Sequence, residues 1–573
     1  MDWVDGSLPA LVIEPSARIK IARPGFTAGS SFLIQQEMVE TPENDRKADE
    51  GLGDEAPSEK IIGVESGYPP AKKVVPIMIA LNLVILLIAL DRLIIATAIP
   101  KMTDEFHSIG DIGWYGSSYL LTGCSFQLIF GKIYTLYSPK WVYIAAIVIF
   151  LLGSAVCGAA PTSTAFIIGR AIAGLGSAGA FSGAVTILIH LVPLRQRPTW
   201  TGLMGGMFGI ASVAGPLLGG IFTDKVTWRW CFYINLPIGA VTLATVLVLL
   251  QIDMAKKQRE DATLARKIMR LDPFGTLCFL PGMISLILAL QWGGVTYAWN
   301  SARVISLLVL FVVLMIAFIA IQIWRQEDAT VPPRIFMQRS VFGGICFTIC
   351  VGASMLVAVY YLPLWFQAIK GVSAIKSGIM NLPLVLSMVI GVISSGAMVT
   401  VIGYYTPFML GCCVLSAIGA GLLTTFTPAT GHQQWIGYQV LFGFGLGIGM
   451  QQAVVATQTV LSRADVPIGS SLVLFGQQIG GAIFIAVAQN IFTNKLSAGI
   501  ADIPGIDGTT NLVDIGATAI RTMVKDPETL SRVLQVYNDS LVDAFRVSLA
   551  TACAIIIGAS MMEWKSVKSE EKQ

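Results

Sequence analysis

A chain of 573 residues that is 54% hydrophobic and only 13% charged, with a mean hydropathy of +0.71, is not a soluble globular protein, in which charged residues make up about 25%. It is expected to cross a membrane many times. A formal net charge of +3 is too small to suggest a nucleic-acid partner, and its distribution matters more than its sum.

Residues 1–73 open with stretches such as ETPENDRKADEGLGDEAPSEK, rich in Pro, Gly, Ser and acids, and are expected to form a disordered cytoplasmic tail. Met38 precedes its most acidic part and is a second candidate start. Beyond the tail come about fourteen apolar segments of roughly 20 residues, the length that crosses ~30 Å of hydrocarbon. They fall at 74–99, 112–133, 141–160, 164–190, 201–222, 231–251, 273–293, 302–323, 342–366, 377–400, 405–427, 435–460, 469–492 and 541–562. Each must be helical, because a lone strand would leave its backbone unpaired in lipid. With the N-terminus inside, the short inner loops collect Lys132, Lys140, Arg195, Arg197, the basic block from Lys256 to Arg270, Arg325, Arg334, Arg339 and Arg463. The short outer loops hold fewer: Lys101, Lys225, Arg229, Arg303, Lys370 and Lys376. This asymmetry predicts both termini in the cytoplasm. The nine cysteines fall in or beside predicted helices, which predicts no disulfide framework, and the three histidines show no metal-ligand spacing.

Two ionisable residues stand inside spans. Asp91 lies in the first, in Leu90-Asp91-Arg92-Leu93-Ile94-Ile95-Ala96-Thr97-Ala98-Ile99-Pro100, and Arg170 lies in the fourth, in Gly169-Arg170-Ala171-Ile172-Ala173-Gly174-Leu175-Gly176. At 1.5 Å per residue they sit ~13 Å and ~9 Å from the outer ends of their helices, a comparable depth. Charges at such depth mark ion pathways or pairs. Arginine does not release a proton in a protein, so Arg170 is expected to tune or pair with the acid. After the second span comes Gly131-Lys132-Ile133-Tyr134-Thr135-Leu136-Tyr137-Ser138-Pro139-Lys140. The fifth span carries Gly205-Gly206-Met207-Phe208-Gly209 and Ala214-Gly215-Pro216-Leu217-Leu218-Gly219-Gly220, followed by Trp228-Arg229-Trp230-Cys231-Phe232-Tyr233-Ile234-Asn235-Leu236-Pro237-Ile238-Gly239. Small residues four apart let helices approach closely, and the proline bends the helix. In the second half stand Tyr360-Tyr361-Leu362-Pro363-Leu364-Trp365-Phe366-Gln367, a glycine-rich run ending Gln451-Gln452, and Gln477-Gln478-Ile479-Gly480-Gly481. Residues 493–540 read as a long polar outer loop. Asn538-Asp539-Ser540 fits the glycosylation sequon.

Over residues 74–560 these segments resemble the major facilitator superfamily, and within it the fourteen-helix drug:proton antiporter group, especially fungal toxin and secondary-metabolite efflux pumps of the aflatoxin and HC-toxin type. The resemblance implies an all-α membrane fold of two six-helix halves, 74–251 and 342–562, with an inserted helix pair between them in 252–341. It implies proton coupling by Asp91 and Arg170, an antiporter motif at Gly209, Gly215, Pro216, Gly219 and Gly220, and a gating loop at Gly131 and Lys140, with the loop's usual acid replaced by Thr135. Tyr119, Gln127, Tyr361, Gln367, Gln451, Gln452 and Gln477 are candidate cavity residues, because buried amides and hydroxyls need partners that a wet cavity supplies.

The expected function is a proton-driven exporter of small, mostly apolar organic molecules in the plasma membrane, with the vacuolar membrane as the alternative. It is not expected to be an enzyme. No cofactor or metal beyond the proton gradient is expected, and a monomer is expected. No G-x-x-x-x-G-K-[ST] loop for ATP occurs. A proton symporter on the same fold is the competing reading, and a ligand-binding sensor without transport is a third. Asp91 as the one acid deep in the spans favours neutral or lipophilic cargo over dications.

Overall fold

The computed structural model describes residues 68–108, 111–251, 269–294, 296–501, 503 and 526–568. The N-terminal tail, most of the basic block and the middle of the 493–540 segment lie outside the described residues. The helices are α1 (Ala71–Leu93, continued by Ile95–Phe106), α2 (Ile112–Leu136), α3 (Pro139–Ala159), α4 (Ser163–Leu191), α5 (Arg197–Lys225) and α6 (Asn235–Leu249, preceded by the turn Trp230–Tyr233). Next come α7 (Pro273–Trp292) and α8 (Ala302–Arg325). The rest are α9 (Arg339–Lys370), α10 (Leu382–Ile402), α11 (Thr406–Leu423), α12 (His432–Met450, continued by Gln452–Val460), α13 (Val466–Ala501) and α14 (Pro527–Ser560).

Local sequence explains where they begin. Proline occupies the first turn of α3, α7, α10, α11 and α14, where its missing N–H costs nothing. Thr162, Asp272, Ser301, Gln338 and Asp526 accept a backbone N–H at the starts of α4, α7, α8, α9 and α14, as N-caps do. Among the described residues, 13 helical stretches are long and apolar enough to span a membrane. The remaining long helix, α2, has 25 residues but carries Ser117, Ser118, Thr122, Ser125 and Gln127 along its length.

The two halves repeat one pairing scheme. In α1–α6 the third helix packs on the fourth, the second on the fourth, the first on the fifth and sixth, and the third on the sixth; the same five pairings recur in α9–α14. Between the halves, α2 meets α13 and α5 meets α10, so the second helix of each half faces the fifth of the other. Such reciprocity is the mark of an internal two-fold repeat. Helix α7 leans on α2 and α13, and α8 packs on α7. The face of α8 bearing Ile305, Val309, Val312, Val313 and Ile316 is exposed, as suits a helix turned to hydrocarbon.

The segment 493–540 is less loop than its polarity suggested. Helix α13 runs on to Ala501 and α14 begins at Pro527, so only the centre of the segment connects them. Their extensions pack on each other through Val533, Tyr537, Phe492 and Leu496. The sequon reading is corrected by the same packing. Asn538 is 1% exposed. Its Nδ2, the atom a glycan would take, donates to the Phe426 carbonyl at 3.0 Å, and its Oδ1 accepts from Trp365 Nε1 at 2.9 Å.

Candidate functional site

The basic end of the bundle carries the α2–α3, α4–α5, α8–α9 and α12–α13 connections; the other is the distal end. Between the halves lies a cavity of about 160 Å³. Its walls come from α1, α2, α4 and α5 on one side and α9, α10, α12 and α13 on the other. The inserted pair contributes nothing to the lining. The surface is mostly apolar, with Phe181 and Phe208 facing Met355, Met388 and Met450. Methionines adapt to ligands of varied shape. Polar groups are few: Tyr119, Gln127, Ser177, Ser212, Gln451, Gln477, Gln478 and one cation, Arg92. None of the lining residues is acidic.

Four of the seven candidate cavity residues, Tyr119, Gln127, Gln451 and Gln477, are in this wall. The other three are elsewhere. Tyr361 is fully buried between α9 and α13, its hydroxyl donating to Gln489 at 3.0 Å. Gln367 turns back to Pro363 O and Ser377 near the distal end of α9. Gln452 ties α12 to α10 through Ser395 at 3.2 Å. These three hold helices together. Sequence alone cannot separate the two uses, because a buried amide wants a partner whether that partner is water, cargo or a neighbouring helix.

Asp91 is not in the cavity wall. It lies behind it and is 0% exposed. One oxygen accepts from Arg170 at 2.5 Å, and the other accepts from Asn235 Nδ2 at 3.0 Å. Arg170, 1% exposed, also donates through Nε to the Tyr115 carbonyl at 3.0 Å and stacks over the Tyr119 ring at 4.5 Å. The two depth estimates thus meet in one ion pair. A buried pair without further hydrogen bonds would not recover its desolvation cost. Here Asn235, Tyr115 and Ser154, which accepts from Asn235 at 3.1 Å, supply them. Asn235 lies within the Trp228–Gly239 motif, and nothing in the sequence alone marks its part. Its place follows from the motif's aromatics: Trp228 and Phe232 pack edge-on against Phe166, which fixes the start of α6 beside α1. Tyr119 is shared between pair and cavity, with Arg170 over its ring and its hydroxyl beside Ser177.

The glycines of α5 divide between two neighbours. At Gly209 a Cβ would run into the Val389 side chain of α10. At Gly215 it would stand 3.2 Å from Leu93 Cβ and 3.4 Å from Ile94 N, and at Gly219 it would press on Thr97 and Ile94. The motif therefore seats α5 against α1 where that helix is interrupted at Ile94, just past the ion pair. Gly220 has nothing within 4 Å and Pro216 is exposed, so neither belongs to the seam.

From the cavity toward the basic end the halves are tied together. Gln478 donates to Gln127 at 3.3 Å, Gln127 to Ser182 at 2.6 Å and Ser471 to Ser182 at 3.2 Å. Thr199 and Thr400 lie 2.8 Å apart, and Arg197 and Arg463 both reach Tyr68. Gly131 packs on Ser471, where a Cβ would come within 2.8 Å. Of the gating-loop candidates, Lys140 caps the end of α6 at Leu247 O. Its neighbour in the same motif, Lys132, is 5% exposed and donates to the Glu327 carbonyl at 2.9 Å. Arg334 then pairs with Glu327 at 3.0 Å and with Asp465, at the start of α13, at 3.1 Å. The hydrogen bonds that Arg334 donates to Glu327 and then to Asp465 hold it above the ordinary arginine value. The α8–α9 connection thus lies against α2 at Lys132 and reaches α13 through Arg334.

Arg334 is largely exposed, so this link is weak, at about 0–1 kcal/mol. Arg334→Ala is expected to loosen the basic end, with amide hydrogen exchange over 326–338 and 461–465 faster by up to roughly fivefold. Unchanged exchange would make the pairs incidental surface contacts.

Comparisons with known proteins agree with this geometry. Residues 81–485 match the profile of the Major Facilitator Superfamily. The chain is 54% identical over 500 residues to the MFS-type efflux pump MFS1 of Arthroderma benhamiae, covering 87% of this chain and 93% of that one. It is 53% identical over 502 residues to the MFS-type transporter VdtG of Byssochlamys spectabilis, covering 88% and 90%. Among solved structures, the proton:xylose symporter XylE superposes with a TM-score of 0.52 at 14% identity, covering 84% of this chain and 94% of that one. That likeness concerns the fold alone.

Proposed function

The chain belongs to the major facilitator superfamily, and on that premise we propose that it is a proton-coupled exporter of small, mostly apolar organic molecules, working by alternating access. The observation that carries this reading is the double use of one helical turn. Ile88, Ala89, Arg92 and Leu93 of α1 face the cavity, while Asp91 of the same turn holds Arg170 behind it. A change in the protonation of Asp91 releases or restores the ion pair, and α1 passes that change to the cavity wall and to the α5 seam at Leu93 and Ile94. Cargo and proton then favour different states of one element, which is what coupling requires.

The basic end is assigned to the cytoplasm by its excess of Lys and Arg, with both termini there and the plasma membrane as the site of action. The ties around Ser182, Gly131 and Thr199 then close the cytoplasmic side. A drug-sized ligand occupies a pocket of roughly 300–1,000 Å³, so a cavity of about 160 Å³ widens to receive cargo. The similarity to a named efflux pump supports outward transport. The fold alone does not set direction, since a symporter shares it.

The test is flux of Nile red, a neutral lipophilic dye, in vesicles containing the purified chain. Transport toward the more acidic compartment, lost when a protonophore collapses the gradient, is the expected result. Flux down the proton gradient would establish the symporter instead, and gradient-independent flux would remove proton coupling.

A further inference from the structure

The cation in the cavity has no counterpart in the proposed mechanism. Arg92 follows Asp91 directly, and one residue turns a helix by about 100°. The two charges of the pair Asp91-Arg92 therefore point to different places. Asp91 turns to Arg170 and Asn235, and Arg92 turns to the cavity. Its guanidinium makes no hydrogen bond or ion pair with any described residue. Every acid that could neutralise it from the wall is absent, and the nearest one is already engaged by two donors. Around it stand groups that are also uncommitted. Tyr119 is 3% exposed and its hydroxyl lies beside Ser177 without an aligned protein partner. Facing across the cavity from the second half are the amides of Gln451 and Gln477. The apolar remainder, Phe181, Phe208 and the three methionines, accommodates a flat hydrocarbon body.

An arginine held at membrane depth without a carboxylate is a half-built ion pair. We propose that the missing half is the cargo: the cavity takes aromatic organic anions, carboxylates or ionised phenols on an apolar body, with the deprotonated oxygen paired to Arg92. A guanidinium presents two parallel N–H donors that match a carboxylate. Tyr119, Gln451 and Gln477 orient the remaining polar edge. This reading rests on the exporter proposal and deepens it by ranking anionic above neutral cargo, where the scarcity of acids in the spans pointed only to neutral or lipophilic molecules over dications. A cationic drug would face an unpaired like charge and be rejected.

Equilibrium dialysis of the full chain in neutral detergent tests this with three probes of one shape: 2-naphthoate, methyl 2-naphthoate and 2-naphthylmethylammonium. The expected order is naphthoate at least tenfold tighter than the ester, with the ammonium weakest. Arg92→Gln should bring naphthoate to within about twofold of the ester and leave the ester unchanged. Equal binding of the three by the wild-type chain overturns the proposal, and this arm stands even if the variant fails to fold. A preserved naphthoate preference in folded Arg92→Gln overturns it as well. So does binding of a fluorescent phosphatidic acid with none of the naphthalenes, which would assign the cation to a lipid headgroup. Dialysis is blind to direction and to proton coupling, so failure of the vesicle flux test would remove the exporter reading and leave this result intact.

Discussion

Asp91→Asn is expected to stop proton-driven export and also to destabilise the fold. The substitution removes the one carboxylate that, among the described residues, pairs with the buried Arg170 guanidinium. Breaking such a pair from one side costs about 3–5 kcal/mol, because the other charge is left uncompensated. Loss of transport by the single variant would therefore be ambiguous. The double variant Asp91→Asn/Arg170→Gln removes both charges and keeps amides able to bond Asn235 and the Tyr115 carbonyl. It should recover most of the thermal stability of the wild-type chain in detergent and still show no gradient-driven flux. The pair of measurements separates a coupling role from a scaffolding one. Near-normal flux in a stable double variant would reduce the ion pair to a strut between α1 and α4.

Gly215→Leu is expected to lower flux by more than tenfold while leaving membrane insertion near normal. The first added carbon already sits 3.2 Å from Leu93 Cβ, so the rest of a leucine must push α5 away from α1. Overpacking of this kind costs about 1–3 kcal/mol, which a large membrane protein tolerates. The displacement, however, falls at Leu93 and Ile94, between the ion pair and the distal half of α1. Gly220→Leu is the matched control, since nothing lies within 4 Å of that position, and it should transport normally. Both variants are compared by surface expression, substrate flux and proton leak. Tightly coupled export by Gly215→Leu would make the seam ordinary packing.

Much of the site was legible in the sequence, but unevenly. Asp91 and Arg170 stood out because a charge in an apolar run is costly wherever it ends up, and their similar depth allowed a pair. Tyr119, Gln127, Gln451 and Gln477 were marked as polar groups in spans and do line the cavity. Tyr361, Gln367 and Gln452 carried the same mark and serve as struts. Arg92 does not stand out in the sequence because it sits next to Asp91, although one residue of helix separates their directions. The tie made by Lys132 is invisible in the sequence because its partner, Glu327, is 195 positions away.

The sequence by itself determined the class of molecule, the helical spans, the basic asymmetry of the loops and the presence of two buried charges. Those follow from composition and from distances along one helix, since lipid allows a long apolar segment little but a helix. The start of α14 and the fate of Asn538 were decided by tertiary packing, because a polar segment stays helical when a neighbour buries its apolar face. Which polar side chain lines the cavity and which meets protein was also decided there. That choice depends on how helices are rotated and paired, and rotation is set by contacts between residues far apart in the chain: Asn235 with Asp91, Gln478 with Gln127, Gly215 with Leu93.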